Sequence, residues 1–217
     1  AIAAGHSHGL AVKNDGTVWA WGYGFDGELG NGTAANRSTP VQVSALTGVV
    51  SVSGGYSHSI ALKGDGSVWV WGGNSTGQLG DGTRTTRLTP VTVNGLSGVV
   101  AVAAGVAHNL VLLADGTMRS WGWNSAGQLG DGAAILKTQP AQVSGLSGVV
   151  SIGANQDFSL AAKGDGTVSA WGDNTYAQLG DGTRVGRATP VSVVGVAGVT
   201  AIAAGGSHGL AAKGDGT

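Results

Sequence analysis

The sequence predicts an all-β protein, a β-propeller built from four-stranded blades of about 50 residues each. Three observations predict it: a strict internal period, short apolar runs that alternate or cluster between Gly and Asp-Gly, and a Trp-Gly pair at one place in every complete unit. The only prolines, Pro40, Pro90, Pro140 and Pro190, lie 50 residues apart, as do Trp21, Trp71, Trp121 and Trp171, and Leu29, Leu79, Leu129 and Leu179. Four complete units occupy about 1–50, 51–100, 101–150 and 151–200. Residues 201–217, AIAAGGSHGLAAKGDGT, repeat the opening AIAAGHSHGLAVKNDGT as part of a fifth unit. Residues 1–217 thus read as a single repeat domain without linker or second domain. Because the chain opens at Ala1 within a repeat, a longer parent protein is expected.

The second unit shows the elements in order. Val49 to Val52 is a first strand closed by Gly54-Gly55, and His58 to Leu62 a second. Lys63-Gly64-Asp65-Gly66-Ser67 has the composition of a hairpin loop that needs positive φ. Val68 to Trp71 returns as a third strand, a Gly-rich connection runs from Gly72 to Thr89, and Pro90 to Val93 gives a short fourth strand with proline at its start, where no ladder hydrogen bond is lost. Arg84 to Leu88 has room for one helical turn at most. Four short strands cannot bury both sheet faces alone, so units must pack on one another. A radial ring suits four strands per unit better than a solenoid, whose coils usually carry one or two.

Composition excludes several function classes. Eleven Lys+Arg against twelve Asp+Glu leave a net charge of −1, and no basic run offers a footprint for nucleic acid. No apolar run approaches the roughly 20 residues of a membrane helix. The absence of cysteine removes disulfides, thiol catalysis and thiolate metal sites. No Ser/His/Asp set or carboxylate pair converges, so no catalytic residue, cofactor or metal is expected.

The repeated side chains read as framework. The four Trp-Gly tryptophans are sized to fill the space between neighbouring blades. Two residues earlier the position holds Trp19, Trp69, Arg119 and Ser169, which marks it as partly wet. His8, His58, His108 and His208 share a position with Phe158, which can neither ligate nor titrate, so they read as packed, hydrogen-bonded histidines. His6 stands alone, two residues from His8; that spacing suits a metal, but no third ligand is identifiable. Asp15, Asp65, Asp115, Asp165 and Asp215 each precede Gly and read as turn residues, since calcium needs six to eight oxygens, roughly, rather than one acid per loop. Gln78, Gln128, Gln178 and Glu28 are expected to tie the long connection to a neighbouring backbone. Arg37, Arg87, Lys137 and Arg187 suggest local salt bridges, with a ring of anion-binding cations as the alternative.

The segments AAGHSHGLAVKNDGTVWAWG, SGGYSHSIALKGDGSVWVWGGNSTGQLGDGT and AAGGSHGLAAKGDGT closely resemble the repeat of the regulator of chromosome condensation family: an A-G step, a His-Ser-Leu-Ala-Leu strand, a Lys-x-Asp-Gly hairpin, a W-G, then N-x-x-G-Q-L-G-x-G. The resemblance covers the whole chain and implies a seven-bladed ring, of which this chain supplies four complete units and part of a fifth. The family's best-known member is a nucleotide exchange factor for a small GTPase on chromatin. Its repeats also occur in ubiquitin ligases, bacterial surface and secreted proteins, and a β-lactamase inhibitor. The exchange factor's inserted loop and basic surface have no counterpart here, so the resemblance carries over the scaffold and not that activity.

Recognition is expected where the repeat varies. One variable zone, the turn into the second strand, reads His6-Ser7, Tyr56-Ser57, Val106-Ala107, Gln156-Asp157 and Gly206-Ser207. The other, after W-G, contains Tyr23, Phe25, Trp123 and Tyr176. The candidate partner-binding residues are therefore His6, Tyr23, Phe25, Tyr56, Ser57, Val106, Trp123, Gln156, Asp157 and Tyr176, with the aromatics as anchors. The expected function is a non-catalytic binding scaffold, bacterial in type and exported or surface-displayed, recognising protein or glycan through one propeller face, without nucleic acid or membrane insertion. The alternatives are an intracellular regulator such as a GTPase exchange factor, and a structural module that self-associates through unpaired blade edges.

Overall fold

The computed structural model describes residues 1–217, and every regular element is a β-strand. The first blade comprises β1 (Ile2–Ala4), β2 (His8–Val12), β3 (Val18–Gly22) and β4 (Arg37–Gln42). The second comprises β5 (Val49–Gly54), β6 (His58–Lys63), β7 (Val68–Gly72) and β8 (Arg87–Thr92). The third comprises β9 (Val99–Ala104), β10 (His108–Leu113), β11 (Met118–Gly122) and β12 (Lys137–Gln142), and the fourth β13 (Val149–Asn155), β14 (Phe158–Lys163), β15 (Val168–Gly172) and β16 (Arg187–Ser192). β17 (Val199–Ala204) and β18 (Gly209–Lys213) form a two-stranded fifth sheet. Each blade is an antiparallel meander in chain order, and the first strands β1, β5, β9, β13 and β17 neighbour one another in succession, lining the axis of the partial ring.

The structure corrects the fourth strand. It begins at Arg87, and Pro90 lies within it rather than at its start. β8 pairs with β7 through Trp69↔Thr92, Val70↔Val91 and Gly72↔Arg87, with an irregularity before Gly72. Pro90 falls in that irregular stretch of an outermost strand, where its missing N–H costs no ladder bond. Arg84 to Leu88 holds no helical turn.

The core lies between blades. Leu10, Val18, Ala20 and Leu29 of the first blade pack with Val52, Ala61 and Trp71 of the second, and the pattern recurs around Trp121 and Trp171. These three tryptophans are fully buried, whereas Trp21, with no blade packed on its side, is half-buried. Burying one Trp removes roughly 150–250 Å² from water, an upper bound of about 4–6 kcal/mol.

One buried carbonyl organises each junction between complete blades. Trp71 Nε1 donates to the Glu28 carbonyl at 2.7 Å and Ser59 Oγ to the same carbonyl at 2.9 Å. Trp121 and Asn109 treat the Gln78 carbonyl alike, at 3.0 and 2.7 Å, and Trp171 and Ser159 the Gln128 carbonyl, both at 2.9 Å. The preceding blade's histidine completes the set: His8 Nε2 lies 2.9 Å from Ser59 Oγ, His58 Nε2 3.0 Å from Asn109 Oδ1, and His108 Nε2 3.0 Å from Ser159 Oγ. Since Asn109 Oδ1 only accepts and the serine hydrogens go to carbonyls, the histidines carry their proton on Nε2. Their Nδ1 atoms are buried without partners, and burial pushes the rings down to about 4, 4 and 3 respectively, so they are neutral. A Cβ at Gly55 would overlap the His58 ring, which is why glycine precedes each such turn. Phe158 replaces histidine where the corresponding partner in the next sheet is Gly209, which offers no side chain to bond. The recurrent position is therefore a packed one, although His208 of the fifth sheet is exposed.

Candidate functional site

The first and third strands of every blade run toward the same face of the ring, so the short turns after the first strands and the long loops after the third strands share that face. Around the axis the turns enclose a cavity of about 390 Å³, lined by His6, Tyr56, Val106 and Gln156 together with the ends of the inner strands. Backbone bonds hold the turns in sequence: His6 N–H donates to the Gly55 carbonyl at 3.0 Å, Tyr56 N–H to Val106 at 3.0 Å, and Val106 N–H to Gln156 at 3.3 Å. Each side chain at this position is thus set by a main-chain ladder that is indifferent to its identity. The His6 and Tyr56 rings stack at 4.3 Å between centroids.

Beside this channel lies a second cavity of about 190 Å³, lined by His6, Ser7, Tyr23, Asp26, Glu28 and Tyr56. It straddles the junction of the first two blades. Phe25 meets Tyr23 edge to face at 5.5 Å, and both rings are exposed. Glu28, by contrast, is 1% exposed; its Oε2 accepts the Asp26 N–H at 3.0 Å and its Oε1 has no partner.

The structure thus brings His6, Tyr56, Val106 and Gln156 to one cavity, and Tyr23 with His6 and Tyr56 to another. Five candidates line neither cavity: Phe25, which packs on Tyr23, and Tyr176, Trp123, Asp157 and Ser57. Tyr176 lines the open groove between the fourth blade and the fifth sheet. Trp123 is half-buried and borders neither cavity. Asp157 accepts Gln128 Nε2 at 2.8 Å, and burial, then the Asp173 charge, raises its carboxyl. The Ser57 carbonyl accepts the Gly73 N–H at 2.7 Å.

Sequence reasoning missed Asp26 and Glu28. The expectation that Glu28 and its glutamine counterparts tie the loop to a neighbouring backbone is corrected: their side chains accept N–H groups of their own loop, from Asp26, Thr76, Ala126 and Tyr176, and it is the main-chain carbonyls of Glu28, Gln78 and Gln128 that the next blade grips. The available signal was a carboxylate at a position that is otherwise glutamine. The recurrent cations form local pairs, Arg87–Asp81 and Arg187–Asp181 both at 2.8 Å and Lys137–Asp131 at 3.4 Å, rather than an anion-binding ring. The hairpin aspartates cap their own turns, as Asp65 Oδ1 does for the Ser67 N–H and hydroxyl. Trp69 and Trp19, half-buried, lie under Lys63 and Lys13.

A sequence model of the RCC1-like domain matches residues 2–217. The chain belongs to the RCC1-like domain family. Among relatives, the ultraviolet-B receptor UVR8 of Arabidopsis thaliana is 48% identical over 54 residues, 24% of this chain and 12% of that protein. Among solved structures, human WBSCR16 is similar with a TM-score of 0.88 and 28% identity, over 99% of this chain and 60% of that one. Saccharomyces cerevisiae Prp20p is similar with a TM-score of 0.87 and 23% identity, over 97% of this chain and 55% of that one. The chain therefore spans no more than about three fifths of these RCC1-like structures, a partial propeller of a fold used as a protein-interaction scaffold.

Proposed function

We propose that this RCC1-like chain is a non-catalytic binding module that takes a protein partner on the face carrying the channel turns and the first blade's long loop. One observation carries the reading: the positions where the repeat departs from itself, 6, 56, 106 and 156, line a single cavity, above blade junctions whose buried side chains recur almost unchanged. Exposed Tyr23, Phe25 and Tyr56 supply the rigid aromatic area typical of interface anchors. Protein binding is also what is described for similar folds: yeast Prp20 has been crystallised bound to Kap60, and its binding to Gsp1p and histones characterised. The low charge and Gly-rich, near-identical units favour an exported or surface-displayed parent protein; cell fractionation tests this, and recovery from the cytosol alone would contradict it.

The test of the face is affinity capture with the 217-residue chain and a Tyr23→Ala/Phe25→Ala/Tyr56→Ala variant, followed by chemical cross-linking. A protein captured by the parent chain, cross-linked to this face and lost from the equally stable variant is the expected result. Equal capture by both, or binding confined to a glycan array, overturns the reading. Accelerated nucleotide release from a small GTPase would instead favour an exchange factor.

A further inference from the structure

Glu28 breaks its own repeat in a chemically consequential way. Gln78, Gln128 and Gln178 hold the equivalent position. Each uses Oε1 as Glu28 uses Oε2, accepting the N–H two residues earlier. In the third and fourth blades the remaining amide nitrogen donates, Gln128 Nε2 to Asp157 at 2.8 Å and Gln178 Nε2 to Asp173 at 2.7 Å. A carboxylate cannot donate, and Glu28 Oε1 is left buried with nothing to accept from. Burial is the main cause that pushes this carboxyl up to about 7; its own amide and that of Asp26 oppose the shift, and the Asp26 charge adds to it. An orphaned buried acceptor is costly unless something supplies a donor.

The 190 Å³ cavity that Glu28 lines is the place for that donor. Water occupies about 30 Å³ per molecule in the liquid, so the space suits a few waters or one side-chain head group. Its walls combine two carboxylates, Asp26 and Glu28, with the Tyr23 and Tyr56 rings and His6. Neither carboxylate is in an ion pair, nor are Asp157 and Asp173 further round the same face. No group of three metal-ligating side chains forms here. Two acidic residues sharing a cavity with aromatic ones fit an organic cation, which gives N–H donors to the one and its charge to the other.

We propose that this cavity receives the cationic head of a lysine or arginine side chain from the protein partner, with Glu28 Oε1 and the Asp26 carboxylate accepting its N–H groups and the Tyr23 and Tyr56 rings flanking its charge. The proposal rests on the reading of this face as a protein-binding surface and adds that the bound segment is basic.

The test is an NMR titration of the 217-residue chain with the capped peptides Gly-Gly-Arg-Gly-Gly and Gly-Gly-Lys-Gly-Gly, against counterparts carrying citrulline or acetyl-lysine. At least one charged peptide should give saturable shifts at the Asp26, Glu28 and Tyr56 amides, with its neutral counterpart at least ~10-fold weaker. Glu28→Gln restores the residue of the other blades, so it should fold with an unfolding midpoint no lower than the parent's and bind at least ~10-fold more weakly. Equal affinity for charged and neutral peptides, undiminished binding by E28Q, absence of any saturable shift, or shifts with calcium chloride alone would overturn the proposal. If the Tyr23/Phe25/Tyr56 variant loses the captured partner while E28Q keeps it, the cation pocket fails and the interaction face stands; if neither loses it, both fail.

Discussion

In the third blade the loop after the third strand is braced from within by a buried asparagine, and in the first blade the same loop lacks that asparagine. Asn124 is fully buried; its Oδ1 accepts the Leu129 N–H at 3.0 Å, and its Nδ2 reaches Asp131 and the Ala133 and Ile135 carbonyls. Asn74 and Asn174 do the same in the second and fourth blades, where Asp81 and Asp181 also anchor Arg87 and Arg187. The first blade has Gly24 and Asn31 in those places. Its Gly24 N–H donates to Asn36, and Arg37 keeps only a 3.4 Å bond to Thr33 Oγ1. That loop also carries exposed Tyr23 and Phe25 and buried, unsatisfied Glu28. Where the asparagine recurs the loop serves the framework; where it is absent the loop holds two exposed aromatic rings and a carboxylate with one unsatisfied oxygen. Such departures from local consistency are expected at functional sites.

The comparison can be broken in several ways, the largest concerning the junctions beneath the loops. His8, His58 and His108 have folded values below their ordinary 6.5, so the unfolded chain binds more protons across the interval. Their contribution is full above pH 6.5 and is lost progressively as pH falls toward the folded values, with on the order of 5 kcal/mol for the three together gone by pH 5.0. Denaturant unfolding at pH 7.5 and 5.0 should show that loss, and an unchanged midpoint would mean that the junctions are wet. Trp121→Ala should cost about 3–5 kcal/mol through the cavity and the lost bond to the Gln78 carbonyl, which then keeps only Asn109; Trp21→Ala should cost less, and equal costs would remove the distinction between closed and open blade faces. Asn124→Ala should cost about 2–4 kcal/mol by stranding the Leu129 N–H and the partners of Nδ2.

Glu28→Gln should act in the opposite sense. Its folded value, raised from 4.5 to about 7, means that the native state holds a proton the unfolded chain lacks in that window, so stability falls as pH rises through it. Thermal unfolding at pH 8 should show E28Q more stable by about 1–3 kcal/mol, with no gain below pH 4.5. Tyr56→Ala, at an exposed turn, should change stability by no more than about 0.5 kcal/mol while weakening partner capture.

Much of the framework is legible in the residues themselves. The period-2 runs around His58 and Val68 define a hairpin, and identical Trp-Gly spacing forces blades to share a core. Pro90 misled the placement of the fourth strand, because a proline can sit inside an outermost strand once the register slips beside it. The channel turns were legible because they vary against a uniform background. The significance of Glu28 was not, since it depends on a junction between blades: only folding shows that one oxygen accepts the Asp26 N–H while the other is left without a donor in a residue that shares a cavity with Tyr56 of the next blade.

The most direct measurement is a carbon-detected NMR titration of the Glu28 side-chain carboxyl, with and without the basic peptide. The account predicts a midpoint near 7 in the free chain, moving down into the ordinary carboxylate range when the peptide is bound. A midpoint at 4.5 in the free chain, or one that the peptide leaves in place, would contradict it.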